Sequence, residues 1–204
     1  MKIEAKFTVK SNKLFSADGL TEISISSPVR TEAADACKNT LAVDILKKAE
    51  GETTAVKNKF LFIDLPQSFM EISSGAYNET ALASLRDFLK AIEKSELNAV
   101  IAPQFEDDFD TPSLQADSSD SQGVESFIAA VSHAARRIKD CESVIGFAIP
   151  EKLLAGGLGE KSCAAEYISE LKKKHEHYIF FAGRNEIERV HCINDVANTD
   201  IVMY

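Results

Sequence analysis

The chain has 204 residues, 45% of them apolar, with a formal net charge of -9 and a pI near 5.0. This length supports one substantial core, so 1–204 reads as a single α/β domain. The acidic balance argues against nucleic-acid binding, which needs a basic surface, and no apolar run reaches the ~20 residues that cross a bilayer.

Residues 1–19 are expected to form an edge strand or extension, with Phe7-Thr8-Val9 its extended part. The N-terminus alternates polar and apolar residues and lacks the long apolar segment of a signal peptide, which predicts a cytoplasmic protein. A leader removed beforehand would leave the same sequence. Leu20 to Ser26 alternates and is β-rich, which predicts a strand. A helix is expected over Thr31 to Glu50, with Thr31 as cap, Gly51 as stop, and Ala36, Thr40, Val43 and Leu46 on its inner face.

Phe60 to Pro66 is a strong apolar strand. A loop over 67–79 leads to a helix over Thr80 to Ser95, striped by Leu82, Leu85, Phe88, Leu89 and Ile92. Asn98 to Pro103 is the next strand. The segment 104–122 is acidic and serine-rich and reads as either a long solvated loop or a mobile lid. Its Asp117-to-Gly123 stretch offers oxygens without the spacing of a calcium loop. Helix Val124–Lys139 follows, then the continuous apolar strand Val144–Ile149, which closes on Pro150 and Glu151. Such a run reads as a buried parallel strand carrying an acid to the end of a sheet, where α/β folds build active sites.

The glycine-rich turn Gly156 to Gly159 matches neither phosphate-loop pattern. A helix over Ala164 to Lys174, a strand over Tyr178 to Ala182, a helix over Glu186 to Ala197 and a strand over Asp200 to Met203 complete the series. Lys172 to Lys174 suit a helix C-terminus. The four cysteines, Cys37, Cys141, Cys163 and Cys192, have no C-x-x-C pairing and are expected to act as small buried hydrophobes. His175 and His177, at the end of a charged helix, are expected to be exposed or capping. No metal site and no cofactor is expected. The sum is about six β/α units, hence parallel pairing, as either an open doubly wound sheet or a barrel.

The stretch from Phe60 to Tyr204 resembles the (β/α)8 glycoside hydrolases of the cellulase and mannanase type. Phe62-Ile63-Asp64-Leu65-Pro66 is similar to that family's second strand. The helix from Ala81 through Asn98-Ala99-Val100-Ile101 resembles the approach to its third strand. Arg137 to Asp140 and Val144 to Phe147 resemble the approach to its fourth, and Tyr178 to Phe181 its fifth. The resemblance implies a TIM-barrel-like parallel β/α repeat, truncated or incomplete because a full barrel takes ~250 residues.

It also implies that Glu151 stands where the family's fourth-strand Asn-Glu-Pro places its general acid/base. Here the neighbours are Pro150 and Lys152. Asp64 stands at the family's second-strand Arg, the third-strand His has no counterpart in Ala102 to Phe105, and the seventh strand that carries the nucleophile is missing. Retaining hydrolysis needs two carboxyl groups about 5–5.5 Å apart. The other strand-end candidates are Asp64, Glu106, Asp107 and Glu186, with Asp64, Glu106 and Glu186 taken as binding residues.

Three readings follow. The first is a divergent glycosidase-like barrel domain without normal retaining catalysis, binding a carbohydrate or a protein partner. The second is an active glycoside hydrolase with a rearranged carboxylate pair that includes Glu151. The third is an open α/β interaction domain of the von Willebrand A type, suggested by Asp64-Leu65-Pro66-Gln67-Ser68 with Pro66 in place of a serine ligand. Neither a nucleic-acid partner nor a membrane is expected.

Overall fold

A computed structural model of the chain describes residues 3–25, 28–38, 60–94, 97–106, 120–197 and 199–204. Six strands form one sheet: β4 (Val29–Glu32), β5 (Phe60–Pro66), β8 (Asn98–Gln104), β9 (Val144–Ala148), β10 (Ile179–Ala182) and β11 (Ile201–Met203). Every neighbouring pair is parallel, and the strands lie side by side in chain order from β4 to β11. A doubly wound sheet reverses its order and carries helices on both faces. Here the winding runs one way, as in a barrel.

Strand alternation separates two cores. Leu61, Ile63 and Leu65 of β5, with Ala99 and Ile101 of β8, face the helices. Among the described residues, the buried hydrophobic helical side chains all lie in that cluster, including Leu82, Leu85 and Leu89 of helix Glu79–Glu93 and Phe127 and Val131 of helix Asp120–Arg137. Phe60, Phe62, Val100, Ala102, Phe181 and Val202 face the other way.

That second face is concave. Phe62 of β5 meets Phe181 of β10 edge-on, with ring centres 5.9 Å apart. Three strand spacings separate these strands, about 14 Å in a flat sheet, so the sheet is curled like a barrel wall. Its two edges, β4 and β11, are not paired to each other. The result is an incomplete TIM-barrel-like repeat of six strands.

The concave face is covered by a three-stranded antiparallel meander, β1 (Phe7–Lys10), β2 (Lys13–Ser16) and β3 (Glu22–Ile23). Leu14 and Ile23 are buried in the inner core, and Phe7 packs on Phe60 with ring centres 5.6 Å apart. The tight turn at Ser11 and Asn12, both at positive φ, docks on β11. The Met203 N–H donates to the Asn12 carbonyl at 3.0 Å. The Asn12 amide donates to the carbonyls of Val196, Thr199 and Ile201 at 2.9, 3.0 and 2.8 Å. An open sheet edge is a pairing hazard, and this turn seals the β11 edge.

Several expectations are corrected here. The strand expected over Leu20–Ser26 is a two-residue member of the meander, and Leu20 is exposed. The first parallel strand is β4, so Thr31 and Glu32 are extended residues pairing with Ile63 and Asp64, not a helix cap. Helix Ala33–Lys38 follows with Ala36 buried, while Thr40, Val43 and Leu46 lie outside the described residues. Within 67–79 there is a short helix, Gln67–Met70, and a hairpin of β6 (Glu71–Ser73) and β7 (Ala76–Tyr77). The helix expected over Glu186–Ala197 is two short ones, Arg184–Arg189 and Ile193–Val196, interrupted where His191 adopts φ 56°. Cys163 is exposed, whereas Cys141 and Cys192 are buried. Asp107 and most of the acidic segment lie outside the described residues. Among the described residues, no helix is long and apolar enough to cross a membrane.

Candidate functional site

The parallel strands end together on one rim, as they do around the site of a barrel. A pocket of about 200 Å³ opens there, lined among others by Arg30, Gln104, Phe105, Glu151, Glu186 and Tyr204. These residues come from five separate segments of the chain. Arg30 pairs in register with Phe62 and projects from the same face. Tyr204 follows β11, anchored by its N–H to the Ala182 carbonyl at 3.2 Å and by its carbonyl to the Arg184 N–H at 2.9 Å.

Arg30 spans the open seam. Its guanidinium forms a two-pronged ion pair with Asp64, reaches the Tyr204 hydroxyl at 3.4 Å, and lies 5.7 Å from the centre of the Phe62 ring. Phe62 in turn packs on Tyr204, ring centres 4.8 Å apart. The Asp64 hydrogen bond raises the Arg30 pKa, and burial raises that of Tyr204. Arg30 is therefore a fixed cation on the pocket wall, and Tyr204 a neutral aromatic one. On the far side the Lys152 ammonium sits 5.1 Å from the centre of the Phe105 ring.

Glu151 is the first residue of the short helix Glu151–Leu154, entered through Pro150 in extended geometry. Its carboxylate accepts from Arg189 at 2.9 Å (Nε) and 2.6 Å (a terminal nitrogen). Arg189 holds the Glu151 pKa below its ordinary value. A general acid needs the opposite shift. The strand behind it is well supported, because the buried Tyr167 hydroxyl of helix Cys163–Lys172 donates to the Ala148 carbonyl at 2.9 Å.

The other carboxylates have local partners. Glu186 lines the pocket and accepts from the Gly183 N–H at 3.3 Å, capping helix Arg184–Arg189. Glu106 turns toward helix Gln67–Met70 and accepts from the Ser68 N–H at 2.6 Å and its hydroxyl at 3.2 Å. Asp64 sits behind Arg30. The structure thus brings Glu151 and Glu186 to one pocket, places Asp64 beside it through Arg30, and commits Glu106 to Ser68. The Asp64–Ser68 stretch that suggested a metal motif is occupied by these contacts with Arg30 and Glu106. Among the described residues, no group of three or more histidine, cysteine or acidic side chains is arranged to hold a metal ion.

Arg30, Gln104, Phe105 and Tyr204 were not singled out by the sequence. The available signal for Arg30 was the alternation in Val29-Arg30-Thr31-Glu32, masked by its resemblance to a helix start.

No family model matches the sequence, and no curated protein matches it. Solved structures do. An endocellulase variant from Pyrococcus horikoshii in complex with cellotetraose superposes with a TM-score of 0.54 at 12% identity, covering 89% of this chain and 58% of that one. Its curled parallel wall is shared. An exo-β-1,4-mannosidase from Opitutaceae bacterium strain TAV5 gives 0.53 at 14% identity, covering 89% of this chain and 34% of that one. The chain therefore spans less than two thirds of the length of these glycosidases. The likeness is one of fold, to part of a cellulase- or mannanase-type barrel.

Proposed function

We propose that this chain is a divergent glycosidase-like barrel domain that binds a short carbohydrate at the rim pocket without retaining-glycosidase catalysis. The observation that carries this reading is the Arg189 clamp on Glu151. A carboxylate doubly bonded to a guanidinium and held ionised has no proton to give a leaving group. The second carboxylate of the pocket, Glu186, is engaged as a helix cap. The lining supports sugar binding: Phe105 and Tyr204 offer aromatic faces, while Gln104, Glu151 and Glu186 offer polar groups for hydroxyls.

The test is a titration with cello- and manno-oligosaccharides followed by calorimetry or NMR, alongside a hydrolysis assay on the same ligands. Saturable binding without turnover, weakened by Tyr204→Ala, is expected. Turnover lost in Glu151→Gln would instead establish the active-hydrolase reading, which the presence of Glu151 and Glu186 in one pocket favours. No binding by any oligosaccharide would remove the carbohydrate reading.

A further inference from the structure

On the outer, helical side of the wall, helix Asp120–Arg137 meets solvent along one narrow stripe. From Phe127 to Ala135 every residue is buried except the exposed Ala129 and the half-buried Ser132. Glu125 and Arg136, both exposed, extend the same stripe at its two ends, because positions 125, 129, 132 and 136 follow helical spacing. The stripe lies in a depression of about 330 Å³, also lined by Tyr77 and by Glu166, Glu170 and Lys174 in and just beyond the neighbouring helix Cys163–Lys172.

The stripe reads acid, small, small, base, and it is symmetric. Glu125 with Arg136, and Ala129 with Ser132, share one midpoint, between Ala130 and Val131. A copy of this helix laid antiparallel across that midpoint sets each Glu125 opposite the other copy's Arg136, and each Ala129 opposite Ser132. Small side chains at the centre let two helix axes approach to about 8 Å. The neighbouring helix has the same polarity, with Glu166 in its first turn and Lys174 just past its end. A helix dipole favours an acid only within the first turn, and Glu125 lies beyond it. Among the described residues, Glu125 makes no ion pair within the chain, and the Arg136 guanidinium donates to His133 Nδ1 at 2.9 Å without meeting a carboxylate.

We propose that this face is a docking surface for a second copy of the chain, with the two helices Asp120–Arg137 packed antiparallel about a two-fold axis. A two-fold interface must be self-complementary, and the charges of this stripe are. Its polar lining and the net charge of -9 on each copy make the dimer weak and transient. The surface lies on the outer helices, away from the strand-end rim, so it does not rest on the carbohydrate reading.

The experiment is sedimentation velocity with small-angle X-ray scattering on the untagged protein at concentrations up to about 1 mM, where a weak pair is populated. A monomer–dimer equilibrium is expected. Glu125→Arg and Arg136→Glu should each weaken it by at least about tenfold, because each brings like charges together at two symmetric points. Mixing the two variants, or combining both substitutions in one chain, should restore it, since opposite charges then face each other again. Lys6→Glu, an exposed reversal just before β1, should leave it unchanged. Should Arg136→Glu unfold through loss of its His133 contact, Glu125→Arg alone decides, because Glu125 has no partner among the described residues. A protein still monomeric at about 1 mM, single reversals without effect or matched by Lys6→Glu, or reversals that neither mixing nor combination repairs would overturn the proposal.

Discussion

Asn12 is the residue on which closure of the sheet edge depends, and its replacement gives a quantitative test. The residue is 5% exposed, and its side chain serves three carbonyls with the two hydrogens of one amide nitrogen. Removing it orphans two carbonyls' worth of hydrogen bonding, at about 1–3 kcal/mol each when buried, so about 2–6 kcal/mol is lost. Asn12 also sits at φ 60°, where alanine adds about 1 kcal/mol of backbone strain and glycine adds none.

Asn12→Ala should therefore cost about 3–7 kcal/mol and Asn12→Gly about 1 kcal/mol less. Asn12→Asp turns a carboxylate toward three carbonyl oxygens and should be no milder than alanine. Urea unfolding followed by circular dichroism measures all three. The released β11 edge should also promote self-association, visible by sedimentation velocity. A loss under about 1 kcal/mol for Asn12→Ala, or glycine worse than alanine, would refute the argument that this amide holds the edge.

Other perturbations probe the wall and the pocket. A Cβ on Gly146 would lie 1.8 Å from the Ile179 carbonyl oxygen, inside the β9–β10 ladder, so Gly146→Ala should cost ~3 kcal/mol or more and reduce soluble yield. Arg30→Ala leaves Asp64, with a side chain 14% exposed, without its ion-pair partner; a loss of about 1–2 kcal/mol in thermal or urea unfolding is expected, with weaker oligosaccharide binding. His175 and His177 have folded pKa values below their ordinary 6.5, so the unfolded chain takes up protons that the folded chain refuses. Stability should fall as pH drops through 6.5, and the slope should shrink in the His175→Gln, His177→Gln double variant. At more acid pH the lowered carboxylates Asp140 and Glu151 add to the same trend, since their stabilisation is lost as they protonate.

The parts of the fold legible in the sequence are those buried on both faces. β5, β8, β9 and β10 read as continuous apolar runs because helices cover one side and the meander the other. β4 was not legible: it is a short edge strand whose Arg30 and Glu32 are exposed, so its pattern resembles a capped helix start. The meander was only partly legible, because its burial depends on docking into a concavity that local periodicity does not encode. The same limit applies to the pocket. Glu151 is found by its place after an apolar strand, whereas the Arg30–Tyr204 contact joins residues 174 positions apart and exists only once the sheet has curled.

That curling also explains how these six strands hold a defined rim. A sheet left open between β4 and β11 would expose its aromatic inner face to water. Three devices prevent this: the meander fills the concavity, the Asn12 turn occupies the β11 edge, and the Arg30 guanidinium bridges from Asp64 to Tyr204 across the seam. The third is part of the pocket itself. On the proposed function, closure and ligand recognition are coupled at Arg30, and a ligand that contacts Tyr204 should stabilise the seam as well as occupy the pocket. The measurable consequence is that an oligosaccharide at one fixed concentration should raise the melting temperature of the unmodified protein more than that of Arg30→Ala, because the coupling appears as tighter binding. Equal shifts in the two proteins would show that the seam and the site act independently.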